Sequence, residues 1–284
     1  MRNVALIEEE VATHQVERTP RRDKSSQVVS GRRREELVLA QSAERINMCC
    51  VVSHLAFILL PCGAVALGET TNTEVIWTIV VGAGAGTRFG GLKQYETIGG
   101  RRIIDVSVAV ARECSDGVVV VVPADDAERE QGVPGGATRS ASVRAGLFAV
   151  PDEATIICVH DAARPFADVD LYHRVIDAVR AGADGAVPGV EVTDTIKVVA
   201  DDHSGRVIST PSRSTLTAVQ TPQAFRAGAL RAAHDRNVES TVSPTDDAMM
   251  VERDGVVVVV AGDRRNRKIT TQEDLVWARG EVER

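Results

Sequence analysis

From Val75 onward, short apolar runs alternate with helical segments of about ten residues, and this alternation limits the fold more than any other feature of the chain. Strand-like runs cover residues 75–81, 118–122, 155–160, 186–192 and 256–261. Helical patterns cover 103–111, 139–149, 169–181, 227–234 and 272–283. Residues 118–122 are five consecutive valines, so that strand has no polar face to offer water. Strands of this kind, separated by helices, predict an α/β fold: a mostly parallel sheet with helices on both faces. Ligands of such sheets bind beyond the carboxyl ends of the strands, so the residues after each strand matter most.

Residues 1–72 read differently. The first 47 are polar and mixed in charge, with arginines at 21–22 and 32–34. Residues 46–68 carry no charge, and 51–60 are strongly apolar. A membrane anchor suits that length, but His54, Pro61 and Gly63 weaken it. A signal peptide starting at Met48 would lack a basic n-region. The third reading is an extension outside the folded domain, from a start placed too early. It is preferred, because a positively flanked secretory segment begins within the first few residues. The expectation is therefore an N-terminal extension over 1–72 and one folded domain over 73–284. A cytoplasmic location is expected, with any membrane contact confined to 46–68.

The formal net charge is −7 over 284 residues, and the nine cations and nine acids of the first 72 residues cancel. An acidic domain excludes a protein that coats nucleic acid, but permits a phosphate pocket built from a few local cations. Five cysteines without a CxxC pair exclude a disulfide scaffold and a zinc ribbon, and predict buried reduced thiols. Only four of the 33 cations are lysines: Lys24, Lys93, Lys197 and Lys268.

The first strand ends in Gly82-Ala83-Gly84-Ala85-Gly86-Thr87-Arg88-Phe89-Gly90-Gly91-Leu92-Lys93-Gln94. Glycines there let backbone N–H groups approach phosphate oxygens. The spacing is not G-x-G-x-x-G, and no Gly-Lys-Ser/Thr follows, so neither a dinucleotide fingerprint nor a P-loop is present. Arg88 and Lys93 beside the glycines suit a polyphosphate; the plain alternative is a glycine turn with solvated cations. The third strand runs into His160-Asp161-Ala162-Ala163-Arg164. Asp161 stands where a Mg²⁺ ligand belongs, the alternative being a helix cap with an ordinary salt bridge. Arg164 could pair with it or reach a phosphate. His160 reads as a packed, hydrogen-bonded histidine, since no second histidine sits at ligand spacing. Gly135-Gly136 opens a helix, where amides and the Ser142 hydroxyl could read a base or ribose. Residues 193–197, 244–247 and 266–270 are polar clusters interrupting apolar runs, and two of them hold a lysine. Residues 209–219, with Arg213 alone in them, read as an arm.

Seven segments in order, GAGAGTRFG..LKQY, GGATRSASVRAGL, VHDAARPF, TDTIK, QTPQAF, TDDA and NRKIT, resemble the 2-C-methyl-D-erythritol 4-phosphate cytidylyltransferases. The resemblance spans about 75–280. It implies a Rossmann-like nucleotidyltransferase fold, a homodimer built through the arm, CTP as co-substrate, and Mg²⁺. It implies that Gly82, Ala83, Gly84 and the loop amides hold the triphosphate. Gly136 and Ser142 would bind cytidine, Asp161 and Arg164 would serve the nucleotide, and Asp161 would ligate Mg²⁺. Arg88 and Lys93 would stabilise the transition state. Thr195, Arg213, Thr245, Asp246 and Lys268, with Asp161, would serve the acceptor, Arg213 and Lys268 taking part in catalysis and Arg213 reaching the neighbouring subunit. Gly82, Leu92, Thr217 and Arg267 depart from the family pattern. The expected reaction is cytidylyl transfer from CTP to methylerythritol phosphate in isoprenoid biosynthesis, with ribitol 5-phosphate or another polyol phosphate as the alternative acceptor. An NAD-dependent oxidoreductase would need the missing glycine spacing and an acidic residue where Arg101-Arg102 stand. A catalytically dead binding protein would have lost Lys93, Asp161 or Arg164, and all three are present.

Overall fold

The computed structural model of the protein describes residues 73–237 and 244–283. The described strands are β1 (Ile76–Val81), β2 (Thr97–Ile98), β3 (Arg101–Arg102), β4 (Gly117–Val122), β5 (Val133–Pro134), β6 (Ile156–Asp161), β7 (Gly185–Glu191), β8 (Val198–Val199), β9 (Val207–Ser209), β10 (Thr217–Val219), β11 (Gln223–Arg226) and β12 (Val257–Ala261). The described α-helices are α1 (Ile103–Glu113), α2 (Arg139–Ala149), α3 (Val169–Arg180), α4 (Ala227–Arg236), α5 (Ala248–Val251) and α6 (Gln272–Val282). The main sheet runs β5-β4-β1-β6-β11-β7, and β7 also pairs with β10 and β12. The pairings β1 with β4, β1 with β6, β4 with β5 and β7 with β12 are parallel; β11 and β10 pair antiparallel.

Both faces are covered, as the alternation predicts. On one face, Ile104 and Val108 of α1 and Leu171 and Val175 of α3 pack with Val80 and Cys158. On the other, Val143 and Leu147 of α2 and Leu230 of α4 pack with Ile79, Val121 and Val159. β6 is buried at every position, which explains its unbroken apolar run. Helix starts follow side-chain chemistry. Asp168 accepts from Leu171 N at 2.8 Å to open α3, and Thr271 and Asp274 form a capping box at α6.

The five expected strands and five expected helices are present, within two residues at each end. β11 is the main addition. Its sequence, QAFR, has no β-branched residue, and it is a strand because β6 and β7 supply ladder partners on both sides. Phe225 fits there because Gly185 lacks a Cβ, which would stand 2.7 Å from the Phe225 ring. The segment expected as an arm, 209–219, continues an exposed stretch that includes the β8–β9 hairpin, while β10 at its far end belongs to the main sheet. Ile196, Val198, Val199, Val207 and Ile208 on this segment are exposed.

Cys114 and Cys158 are buried free thiols, as expected, and burial pushes them to about 11 and about 12. Among the described residues no helix is long and apolar enough to cross a membrane. The extension, the apolar stretch 46–68 and the remaining cysteines lie outside the described residues.

Candidate active site

Strand register builds the site. Val81 pairs with Val121 on one side and Asp161 on the other, so β1, β4 and β6 end level. The turns after them therefore meet at one edge and enclose a cavity of about 460 Å³. Gly82, Ala83, Gly84 and Ala85 line it from the first turn, and Gly136, Ala137, Thr138, Arg139 and Ser142 from the start of α2. Lys93, Gln94, Asp161 and Lys268 complete the polar wall. Thus six of the seven expected nucleotide residues, from Gly82 to Asp161, converge on one space together with Lys93 and Lys268.

The glycine loop has the conformation its composition allows. Gly86 has φ +64° and Gly90 φ +89°, and the Gly86 carbonyl accepts from Phe89 N and Gly90 N at 2.8 and 2.9 Å. Phe89 inserts into a small core with Ile98, Ile103, Ile269 and Leu275. Gln272 Nε2 donates to the Phe89 carbonyl at 3.1 Å, so α6 holds the loop from behind. Among the described residues no protein acceptor takes the N–H of Gly84 or Ala85, both of which line the cavity. They are free for an anion.

Asp161 is the one carboxylate among the cavity's lining residues, against Lys93, Arg139 and Lys268. Lys268 Nζ donates to its Oδ2 at 2.6 Å, and Arg139 Nε to its Oδ1 at 3.2 Å. Burial opposes ionisation of Asp161, but Arg139 and then Lys268 outweigh it and hold the carboxyl well below the usual carboxylate range. Lys93 is pushed down, first by burial and then by Lys268, with Asp161 opposing. A cluster with more positive than negative charge, in a domain of net −7, is suited to receive a polyanion.

His160 has the packed role expected of it. Its Nε2 lies 3.2 Å from the Arg164 carbonyl, which can only accept, so Nε2 carries the proton in this network. Nδ1 then accepts from Thr221 Oγ1 at 3.1 Å, and the same oxygen accepts from Asp161 N at 3.0 Å. Burial pushes His160 down to about 4, so it stays neutral at physiological pH. It supports the backbone of Asp161.

The other expected residues take different places. Arg88 is exposed beyond the cavity wall, close enough to Lys93 to lower its pKa. Ser142 lines the cavity, yet its hydroxyl accepts from Gly136 N at 3.1 Å and donates to the Thr138 carbonyl at 2.9 Å, so it shapes the turn. Arg164 lies outside the cavity. Its Nη1 donates to the Asn266 carbonyl at 2.8 Å, and it lines an adjoining hollow with Lys268, Arg264 and Arg267. Thr195 and Arg213 are exposed on the arm, where Arg213 Nη1 donates to the Thr193 carbonyl. Thr245 is exposed, and Asp246 accepts from Gln223 Nε2 and Met249 N at 2.8 and 3.0 Å.

Arg139, Gln94, Asp247 and His234 join the site or its support without having been singled out by the sequence. Arg139 did leave a signal. It is the first residue of α2, where a cation opposes the helix dipole and so calls for a nearby acid. That acid is twofold: Asp161 and, at 2.7 Å, Asp247. Gln94 is buried in the wall with its Nε2 unpaired among the described residues.

Known proteins resemble this chain over most of the described residues. The family model for 2-C-methyl-D-erythritol 4-phosphate cytidylyltransferase matches residues 76–284. A protein of that name from Geobacter metallireducens is 42% identical over 225 residues, covering 72% of this chain and 95% of its own. A bifunctional enzyme IspD/IspF from Oleidesulfovibrio alaskensis is 46% identical over 178 residues, covering 56% of this chain and 44% of its own. The chain thus spans about half the length of such bifunctional relatives. Among solved structures, the 2-C-methyl-D-erythritol 4-phosphate cytidylyltransferase of Thermus thermophilus superposes with TM-score 0.62 at 33% identity, covering 74% of this chain and all of the other. The 4-diphosphocytidyl-2C-methyl-D-erythritol synthase of Anaerococcus prevotii gives 0.66 at 30%, covering 74% and 99%.

Proposed function

The chain belongs to the 2-C-methyl-D-erythritol 4-phosphate cytidylyltransferase family, and from that premise we propose that it transfers the cytidylyl group of CTP to 2-C-methyl-D-erythritol 4-phosphate, giving 4-diphosphocytidyl-2-C-methyl-D-erythritol and pyrophosphate. The observation that carries the proposal is the convergence of Lys93, Arg139, Lys268 and the unpaired Gly84 and Ala85 amides on one cavity around Asp161.

The acceptor's phosphate attacks the α-phosphorus of CTP in line, and pyrophosphate departs with the bonding electrons. The nucleophile is already an anion, so no general base is required. The neutral, sequestered His160 is consistent with that. The barrier lies in bringing two anions together, and it is lowered by donors fixed beforehand. The loop amides and Lys93 hold the triphosphate and meet charge growing on the equatorial oxygens. Lys268, in the same wall region, would meet the acceptor's phosphate. Arg88, exposed on the loop's outer side near Lys93, would meet charge on the departing phosphates.

Mg²⁺ fits the donor set. It takes one or two carboxylates plus substrate phosphates rather than an all-protein cage. Asp161 offers one carboxylate in the cavity, and among the described residues no three His, Cys, Asp or Glu converge as a metal cage. Asp161 would hold the ion, with substrate oxygens as its other ligands. When bound, the ion supplies neutralisation and orientation of phosphate oxygens.

The arm's exposed apolar residues support a homodimer, in which Arg213 of one protomer reaches the acceptor side of the other. A cytoplasmic location fits an enzyme that works on CTP and a small sugar phosphate. Pyrophosphate release by the purified protein with CTP and Mg²⁺, against a panel of polyol phosphates, tests the reading. Release with methylerythritol phosphate is expected. Silence there with strong release from ribitol 5-phosphate overturns the acceptor.

A further inference from the structure

Behind the cavity wall lies a buried pair, Asp247 and His234, that the reaction as described does not use. Asp247, fully buried, accepts from Arg139 Nη1 at 2.7 Å through Oδ2, and its Oδ1 faces His234 Nε2 at 3.0 Å. His234, on α4, is itself buried at 3% exposure, and an ionised carboxylate opposite it makes Nε2 the donor. Arg139 then spans the gap, its Nε on Asp161 Oδ1 at 3.2 Å. Asp247 follows Thr245 and Asp246 directly, in a turn whose resemblance assigns it to the acceptor. Its own side chain instead contacts Arg139, which lines the cavity.

We propose that Asp247, held by His234, is a positioning residue for the nucleotide half of the site: it holds Arg139 in place and so keeps Asp161 presented to CTP and its metal ion. A guanidinium is a rigid planar fork that can bind one carboxylate with two parallel N–H groups. With Asp247 holding Nη1, the guanidinium is turned so that Arg139 gives Asp161 a single bond through Nε, and its buried Nη2 stays unpaired among the described residues. Without that restraint the guanidinium is free to turn Nε and Nη2 together onto Asp161, crowding a carboxylate that Lys268 already shares at Oδ2 and leaving less of it for the nucleotide's metal ion. His234 supplies the second anchor, so that Asp247 cannot follow Arg139 toward the cavity. Groups that orient a ligating residue in this way commonly change metal affinity or activity by roughly 10–100-fold when removed.

The inference rests on the cytidylyltransfer reading, and the test separates the two. Wild type, Asp247→Asn, His234→Leu and His234→Gln are compared by steady-state kinetics, by direct CTP binding without acceptor, and by thermal melting. Asp247→Asn and His234→Leu should raise KM for CTP and the half-saturating Mg²⁺ by roughly 10–100-fold. Direct CTP binding should weaken by the same factor, while KM for the polyol phosphate stays near the wild-type value. His234→Gln, which keeps a donor at similar reach, should restore CTP binding. A merely structural role would lower the melting temperature and, through the adjoining Thr245 and Asp246, disturb the acceptor's KM. Unchanged CTP affinity in Asp247→Asn and His234→Leu, or a selective rise in the acceptor's KM, overturns the inference. If Asp247→Asn does not fold, His234→Leu alone decides. Wild type that releases no pyrophosphate with any acceptor sinks the functional reading instead.

Discussion

Lys93 and Lys268 are two of only four lysines among 33 cations, and both stand in the cavity wall. A compact ammonium acts as a point charge at a crowded phosphorus, where a planar guanidinium does not fit the same role. Lys93→Ala should lower kcat by roughly 10²–10³-fold in a protein that melts normally, the loss typical of a missing transition-state donor. Near-normal turnover would remove Lys93 from the mechanism, and Lys93→Arg should recover little. The lowered pKa of Lys93 adds a second readout. A bound triphosphate offsets the burial and the neighbouring cations that depress it, so CTP binding at alkaline pH should take up protons. Calorimetry in buffers of different ionisation enthalpy measures that uptake, and Lys93→Met should abolish it. Lys197 has a different part, since its Nζ donates to Thr210 Oγ1 at 2.9 Å within the arm. Gly86 is the loop residue with the least freedom. At φ +64° its absent Cβ would press against the Gly91 carbonyl. Gly86→Ala should cost about 1–3 kcal/mol in denaturant titration and weaken CTP binding more than acceptor binding.

At the scale of elements, the loop and the arm are built by opposite means. The loop is irregular backbone fixed from behind: Phe89 is 6% exposed in the small core against α6. Phe89→Ala should destabilise by about 3–5 kcal/mol, and the loop should become the first site of limited proteolysis. The arm instead exposes Val199 at 53% and Ile208 at 60%, more apolar surface than a short hairpin keeps in water without a partner. If Arg213 acts across a dimer, mixing inactive Lys93→Ala with inactive Arg213→Ala should restore about a quarter of wild-type activity. Half of the randomly formed dimers would then carry one intact site. Absence of complementation, with mixed dimers shown to form, would place Arg213 in its own protomer's site or outside catalysis.

For the whole molecule, a domain of net −7 must draw anionic substrates through a local patch of opposite sign. Raised ionic strength screens both fields over a Debye length of about 8 Å in physiological salt. KM for CTP should therefore climb with salt while kcat changes little, which a salt series measures directly. Stability carries a separate pH signature from His160, held at about 4 in the fold against 6.5 in the unfolded chain. Between those values the unfolded chain binds a proton that the native state refuses. Stability is therefore complete above pH 6.5 and falls as pH drops toward 4, by about 3 kcal/mol. Denaturant midpoints across that window should show the slope, and His160→Gln should flatten it. A flat wild-type profile would mean that the imidazole can be charged in place.

Much of this architecture was legible in the chain because it rests on short-range physics. Alternation of β-branched runs and amphipathic segments dictates a covered parallel sheet, and glycine or acid directly after a buried strand marks its ligand edge. Gly82, Gly84 and Asp161 are readable in that way, with Lys93 beside the glycines, whereas Lys268 stands out only as a rare lysine and takes its role from the resemblance. What the tertiary structure alone decided depends on partners distant in sequence. QAFR is a strand only because β6 and β7 flank it, and Ser142 spends its hydroxyl on its own turn. Arg164 braces Asn266 instead of facing the cavity. Arg139 meets Asp247 across 108 positions. Local pattern determines which residues emerge at a strand's end, but the direction in which a polar side chain points is set by whichever buried charge or carbonyl it must satisfy, and only the folded chain supplies that neighbour.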